Sequence, residues 1–161
     1  MEQAAKSNIN VVFAGAVDHG KSSTVGSILV NLNLIEKKEL DRVKKMAEKN
    51  SRESWYLAYL MDSDQAEMLK GKTHDIAIKQ IELKHRHVTI IDTPGHGNLI
   101  SNMLQGLQLA DVMVLVVSAR SDEFERGFNS GALKQHILLA HSSNIQTVIV
   151  AVNKMDSCEW D

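Results

Sequence analysis

The stretch GAVDHGKS, from Gly15 to Ser22, has the residue types and the spacing of a phosphate-binding loop. Its two glycines, Gly15 and Gly20, allow backbone torsions and a close approach that a side chain would block, so that successive N–H groups can surround phosphates. Lys21 can reach the outer phosphates as a point charge, and the hydroxyl of Ser22 is placed to bind Mg²⁺. The residues of this segment predicted to bind a nucleotide are Gly15, Asp18, His19, Gly20, Lys21, Ser22 and Ser23.

A second polar segment, DTPGH from Asp92 to His96, follows an apolar run that is typical of a strand. An acidic residue at the end of a strand can hold Mg²⁺ through a water molecule. Gly95 can offer its backbone N–H to a terminal phosphate, because it has no side chain to block the approach. His96 is then placed to orient an attacking water, and the alternative is a surface histidine after a turn.

A third segment, NKMD from Asn153 to Asp156, selects the base. Asp156 can accept hydrogen bonds from the ring N–H and the exocyclic amine of guanine, and adenine offers no such pair. Asn153 can meet the oxygen side of guanine, while the stem of Lys154 can lie along the nucleotide. A site built for these polar edges discriminates strongly, because the wrong base leaves buried polar groups unpaired. The segment therefore predicts GTP and GDP as the ligands.

The elements that must position these segments alternate along the chain. Apolar runs indicate buried strands, an alternating pattern indicates an antiparallel hairpin, and apolar residues three to four apart indicate helices. All three polar segments follow strands, and open α/β sheets bind ligands beyond the carboxyl ends of their strands. We expect an α/β phosphate-loop NTPase domain, with a mostly parallel sheet and helices on both faces. The predicted elements are strands at 9–15, 111–118 and 147–153, a hairpin over 74–92, and helices from 21, over 36–50, from about 98 to 109 and from about 132 to 141.

Several other residues are interpreted as structural. Trp55, Tyr56 and Tyr59 are predicted to pack, since they recur at helical spacing. His85 and His87 are two residues apart without a third ligand nearby, so we interpret them as exposed hairpin residues rather than a metal site. The remaining candidate, Cys158, is interpreted as a passive thiol, because no neighbouring group would activate it.

Composition excludes some classes of function. The 161 residues are 43% hydrophobic and carry a formal net charge of -2, so the chain can bury a core but lacks the basic excess that non-specific nucleic-acid binding demands. No apolar run approaches the roughly 18 residues that cross a bilayer, and the N-terminal residues lack an apolar signal core. We therefore expect a soluble, cytoplasmic protein with no membrane partner.

The three segments in this order resemble those of the translational GTPases, and VDHGKSST is similar to the elongation factor one alpha branch. The resemblance spans most of the chain. Within that branch, four shorter segments resemble the eukaryotic class II peptide-chain release factor, the GTPase of translation termination. These are RESWYL at 52–57, KGKT at 70–73, SAR at 118–120 and EFERGF at 123–128.

The resemblance implies roles that spacing alone does not assign. Thr73 matches the first switch threonine, whose hydroxyl completes a Mg²⁺ shell formed with Ser22 and, through water, Asp92. The implied catalytic residues are His96, Lys21 and Thr73, and hydrolysis of GTP to GDP and phosphate is expected to be slow without the ribosome. The implied partners of the full-length protein are the class I release factor and the ribosome. An elongation or ribosome-rescue GTPase, a binding-only nucleotide module and an ATP-using enzyme are the alternatives.

The sequence also departs from the family pattern. Ala16 stands where the family usually has histidine, and SGALKQH replaces a segment similar to GGQTREH. Family members continue beyond Asp156 through a further strand, a closing helix and two β-barrels. We therefore expect residues 1–161 to be a C-terminally truncated GTP-binding domain that lacks its last strand and helix. TVIVAV, apolar on both faces, would then be an exposed sheet edge.

Overall fold

A five-stranded sheet organises the protein, whose computed structural model describes residues 6–61, 76–94 and 100–160. The strand order is β2-β3-β1-β4-β5. β2 pairs antiparallel with β3, and every other neighbouring pair is parallel, which confirms the mostly parallel sheet and the hairpin. The strands are β1 Ser7–Ala14, β2 Ala77–Glu82, β3 Arg86–Asp92, β4 Val112–Ser118 and β5 Thr147–Asn153.

Helices connect these strands. The amphipathic segments that indicated helices form them, with ends that differ from the predicted ones by at most one residue where the ends are described. One helix, α5, was not predicted: its large apolar residues, Phe124 and Phe128, are exposed, and its buried residues are Glu123 and Gly127. The helices are α1 Lys21–Asn31, α2 Lys37–Lys49, α3 Tyr56–Tyr59, α4 Ile100–Gln108, α5 Ser121–Asn129 and α6 Ala132–Ser142, with 3₁₀ turns at Glu53–Trp55 and Met155–Cys158.

The helices cover both faces of the sheet, as the sequence predicts. Successive strand side chains point to opposite faces, so Val12 packs in the cluster that contains Met103 of α4 and Leu133 of α6. Its neighbour Phe13 packs on the other side, with Leu29 of α1. β1 therefore lies in the centre of a three-layer domain.

A third apolar cluster joins α1, α2 and α3. Tyr59 is fully buried here, and Trp55 and Tyr56 pack partly buried against the same cluster, which confirms that the aromatic residues are packing residues. The guanidinium of Arg52 lies 4.3 Å from the centre of the Trp55 ring. Gly26 of α1 lies so close to the backbone of α3 that a Cβ at this position would overlap the carbonyl oxygen of Leu57.

β5 forms one edge of the described sheet. Its side chains are exposed on both faces: Val148, Ile149, Val150 and Val152 are each 43 to 59% exposed. This agrees with the expectation that TVIVAV forms an exposed sheet edge. In the ranges that the structure describes, no helix is long and apolar enough to span a bilayer.

Candidate functional site

The strand register brings the polar segments to the same end of the sheet. Phe13, just before the phosphate loop, pairs with Asp92 at the end of β3. Ser118 at the end of β4 pairs with Asn153 at the end of β5. The carboxyl ends of β1, β3, β4 and β5 therefore lie at the same end of the sheet. The predicted site residues that follow these strands lie there too. Thr73, Gly95 and His96, which were predicted to complete this site, lie outside the described residues.

The phosphate loop connects β1 to α1 through unusual backbone conformations. Gly20 has φ 87°, and Asp18 has φ 65°, both in the left-handed region that side chains disfavour. Gly20 is also the N-cap of α1, whose first residue is Lys21. The N–H groups and the positive dipole end of an 11-residue helix therefore face the loop, an arrangement that favours a bound anion.

Lys21 is a buried cation in this loop. Its side chain is only 7% exposed, and Nζ donates a hydrogen bond of 3.0 Å to the carbonyl oxygen of Ala16. Burial lowers the pKa of Lys21, while the charges of Asp92 and Asp18 oppose that shift. A buried ammonium gains most from an anionic ligand that compensates its charge. The geometry therefore suits a phosphate group.

The donor groups beside Lys21 fit Mg²⁺. Asp92 is fully buried at the end of β3, and the next residue is tied to β1, since Thr93 Oγ1 donates to the carbonyl oxygen of Phe13 at 2.8 Å. The hydroxyl of Ser22 and the carboxylate of Asp92 are the hard oxygen donors that Mg²⁺ prefers. The part of the chain that the structure describes has no group of three or more His, Cys, Asp or Glu that could hold a metal.

The imidazole of His19 is enclosed by protein. It is fully buried, with Nδ1 3.3 Å from the carbonyl oxygen of Val116 and Nε2 3.1 Å from that of Glu123. A Cβ at Gly127 would come within 2.9 Å of this ring, so the glycine allows α5 to approach the loop. Only the backbone of His19 is therefore available to a nucleotide, whereas the sequence had not distinguished backbone from side chain.

The NKMD segment is bonded directly to the phosphate loop. Asn153 Nδ2 donates to the carbonyl oxygen of His19 at 3.0 Å, and Lys154 Nζ donates to that of Asp18 at 2.6 Å. Asp156 lies in the following 3₁₀ turn with an exposed side chain. The phosphate-binding and base-selecting segments thus form one continuous surface, on which the carboxylate of Asp156 is accessible.

Two buried polar residues were missed by the sequence interpretation. Glu123 of α5 contacts Lys154 at 2.7 Å and accepts a hydrogen bond of 2.6 Å from Ser118 Oγ. His136 of α6 is 2% exposed, and its Nδ1 has no hydrogen-bond partner among the described residues. Burial, with the charges of Lys21 and His19, lowers its pKa to about 4. Glu123 lies in EFERGF, a segment that contributed only to the family resemblance. Nothing in the sequence indicated that its side chain contacts Lys154.

Comparison with known proteins agrees with this geometry. Residues 6–161 match the family model described as the elongation factor Tu GTP binding domain. Among curated proteins, the chain is 39% identical over 158 residues to the peptide chain release factor GTP-binding subunit of Schizosaccharomyces pombe, with 96% of this chain and 24% of that protein covered. It is 43% identical over 155 residues to elongation factor 1-alpha of Aeropyrum pernix, covering 96% of this chain and 36% of that protein. The chain thus spans between a quarter and about a third of these relatives.

Solved structures share the fold. The Ski7 GTPase-like domain of S. cerevisiae, bound to GDP and inorganic phosphate, superposes with a TM-score of 0.79 at 22% identity, covering 97% of this chain and 36% of that one. Sup35 complexed with GMPPNP gives a TM-score of 0.59 at 30% identity, covering 98% of this chain and 30% of that one. The phosphate loop, the mostly parallel sheet and the match over nearly the whole chain agree, and the chain belongs to the elongation factor Tu GTP-binding domain family.

Proposed function

We propose that this chain is the GTP-binding and GTP-hydrolysing domain of a translation factor. The observation that carries the proposal is the pair of hydrogen bonds from Asn153 and Lys154 to the carbonyl oxygens of the phosphate loop, at 3.0 and 2.6 Å. These bonds fix the distance between a phosphate-binding end and a base-selecting end. That distance is what a single nucleotide has to match.

Each predicted residue then has a defined task. The loop N–H groups and the start of α1 bind the phosphates, and Lys21 neutralises their charge from a buried position. Ser22 and Asp92 would hold Mg²⁺, together with Thr73, and the ion when bound neutralises negative charge on the phosphates. Asp156 accepts hydrogen bonds from the guanine edge, and Asn153 orients the NKMD segment at 153–156, which we call the base loop.

Hydrolysis is assigned to residues that the family resemblance indicates. His96 is proposed to orient the attacking water, with Lys21 and Thr73 supporting the transferred phosphoryl group. The reaction should be slow for the isolated chain and faster on the ribosome. Turnover of GTP by wild type and His96→Ala tests this assignment, with His141→Ala on the exposed end of α6 as the matched control. Equal rates for wild type and His96→Ala would contradict the role of His96.

Guanine selection is tested by calorimetric titration in the presence of Mg²⁺. We expect the chain to bind GDP and not ADP, and Asp156→Ala to lose most of that preference. Glu125→Ala, which removes another exposed carboxylate, should bind GDP like wild type. Binding of neither nucleotide by the wild-type chain would overturn the proposed function for this domain.

The biological step that we favour is translation termination. The segments that resemble the class II release factor and the 39% identity to the fission-yeast subunit support it. Residues 1–161 would then be the GTP-binding domain of a longer cytoplasmic protein that works with the class I release factor on the ribosome. A role in elongation is the second candidate, because the identity to elongation factor 1-alpha is 43%.

Ribosome-stimulated GTP turnover distinguishes the two roles. In termination, we expect stimulation of the full-length protein to require the class I release factor. In elongation, it would require aminoacyl-tRNA instead. Stimulation by aminoacyl-tRNA without the release factor would contradict the termination role.

A further inference from the structure

Glu123 lies where three segments of the site meet. Its carboxylate accepts hydrogen bonds from Lys154 Nζ at 2.7 and 2.9 Å and from Ser118 Oγ at 2.6 Å. The same Lys154 ammonium donates to the carbonyl oxygen of Asp18 at 2.6 Å. The backbone carbonyl of Glu123 lies 3.1 Å from the His19 ring. One residue of α5 therefore contacts the end of β4, the base loop and the phosphate loop.

Because Glu123 is nearly buried, its charge depends on the groups that contact its carboxylate. Its side chain is 9% exposed, against 27% for Lys154 and 52% for Arg120, which lies 3.5 Å from the same carboxylate. Burial alone would raise the pKa of Glu123, but hydrogen bonds from Lys154 and Ser118 and the charges of Lys154 and Arg120 outweigh it, and the pKa is lowered. The group is thus an ionised, nearly buried carboxylate whose charge is compensated by Lys154.

The hydrogen bond from Lys154 to the carbonyl oxygen of Asp18 joins two residues whose backbones are in a disfavoured conformation. Lys154 has φ 63° and Asp18 has φ 65°, in the left-handed region that residues other than glycine seldom adopt. Such conformations persist where surrounding contacts over-determine them. The ammonium of Lys154 is the group that joins the two residues, and the carboxylate of Glu123 holds that ammonium in place.

We propose that Glu123 is a positioning residue for nucleotide binding, which holds Lys154 across the carbonyl oxygen of Asp18 and so keeps the base loop and the phosphate loop in register. This inference rests on the proposed function, since it concerns the same nucleotide. Glu123 contacts the loops and no reacting group, so it affects how long the nucleotide stays bound and leaves the hydrolysis step unchanged.

The test measures the release of a fluorescent GDP analogue from wild type and Glu123→Gln. Glutamine keeps the size of the side chain and an oxygen for Ser118, but removes the charge that holds Lys154. We expect dissociation to be about tenfold faster, the loss of roughly one charge-assisted hydrogen bond. KM for GTP should rise while kcat stays the same. Glu125→Gln, an exposed residue of the same helix, is the matched control and should behave as wild type.

A double-mutant cycle separates positioning from a general loss of structure. Lys154→Met removes the same ion pair from the other side and should speed release as well. Combined with Glu123→Gln it should add little, because the pair is already broken. Additive effects, or unchanged GDP release in Glu123→Gln, would overturn the inference while leaving the proposed function intact. If wild type itself fails to bind GDP, the proposed function fails first. If Glu123→Gln does not fold, Glu123→Asp, whose shorter carboxylate is drawn back from Lys154, takes its place, and unchanged GDP release would again overturn the inference.

Discussion

Gly20 and Asn153 are packed so closely that a Cβ on residue 20 would overlap the amide nitrogen of Asn153. That amide donates to the carbonyl oxygen of His19, the residue just before Gly20. The base loop therefore lies directly on the phosphate loop, and the absence of a side chain at position 20 is what permits the contact. Four predictions test this arrangement and the packing that supports it.

Gly20→Ala should abolish tight GDP binding. Alanine at this position meets both a left-handed φ of 87° and the Asn153 amide. Gly131→Ala is the matched control, because Gly131 has φ 78° but no described atom lies within 4 Å of the position that its Cβ would take. Each change should cost about 1 kcal/mol of unfolding free energy from the backbone alone. Calorimetric titration should then show weakened GDP binding only for Gly20→Ala, and equal losses in both variants would contradict the prediction.

Lys21→Met should separate folding from binding. Because burial lowers the pKa of Lys21, its charged form opposes folding, and this contribution to instability fades as the pH rises through the pKa. Because the desolvation of Lys21 outweighs its attraction to Asp92 and Asp18, removing the charge should leave the nucleotide-free protein at least as stable as wild type. GDP affinity should fall by about two orders of magnitude, as expected for a lost charge-assisted contact with phosphate. Thermal denaturation with and without GDP measures both, and Lys38→Met, on the exposed face of α2, should change neither.

His136 should contribute to acid sensitivity. Burial, Lys21 and His19 lower its pKa from 6.5 to about 4. Between these pH values the unfolded chain binds a proton that the folded chain does not, so the free energy of unfolding falls as the pH falls, by about 3 kcal/mol in total. His136→Gln should lack this part of the decline in denaturant titrations from pH 7 to pH 4. His141→Gln, exposed on the same helix, should keep the wild-type profile, and a His136→Gln profile parallel to wild type would refute the prediction.

Gly26→Ala should destabilise the protein although it improves helix propensity. Alanine is favoured over glycine by about 1 kcal/mol within a helix. At position 26, however, the added methyl group would overlap the carbonyl oxygen of Leu57, and backbone cannot move aside as a side-chain tip can. We expect a net loss of about 1 to 3 kcal/mol, as for other overpacked positions. Urea denaturation measures it, and a stability equal to or above that of wild type would show that α3 can shift.

Much of the fold followed from apolar patterns. TVIVAVN has no charged residue and only Thr147 as a polar residue before Asn153, and it forms β5 over Thr147–Asn153 as predicted. The alternation of apolar and polar residues in AIKQIE predicted one strand of a hairpin, and this segment forms β2, which pairs with β3. Both segments were recognised by their apolar and β-branched residues, a signal that a linear pattern records whether or not the strand is covered.

The missed features depend on contacts between distant residues. α5 buries a glycine and a carboxylate, while its apolar residues Phe124 and Phe128 are exposed, so its burial does not follow from the apolar residues of its sequence. The roles of Glu123 and His136 arise only when α5 and α6 pack against the phosphate loop. Similarly, the motif placed His19 at the nucleotide site, but only the packing of its ring on Val116 and Glu123 shows that its side chain is buried.

The central position of β1 determines when the site can form. β1 lies at the start of the described chain, yet it pairs with both β3 and β4, which are synthesised much later. Pairings between distant segments form slowly, because the entropy of closing a long loop is lost before the contacts between the strands contribute any stabilisation. We therefore expect the phosphate loop to acquire its shape only after β4 has paired with β1. A nucleotide that binds this site would therefore stabilise the finished domain by mass action.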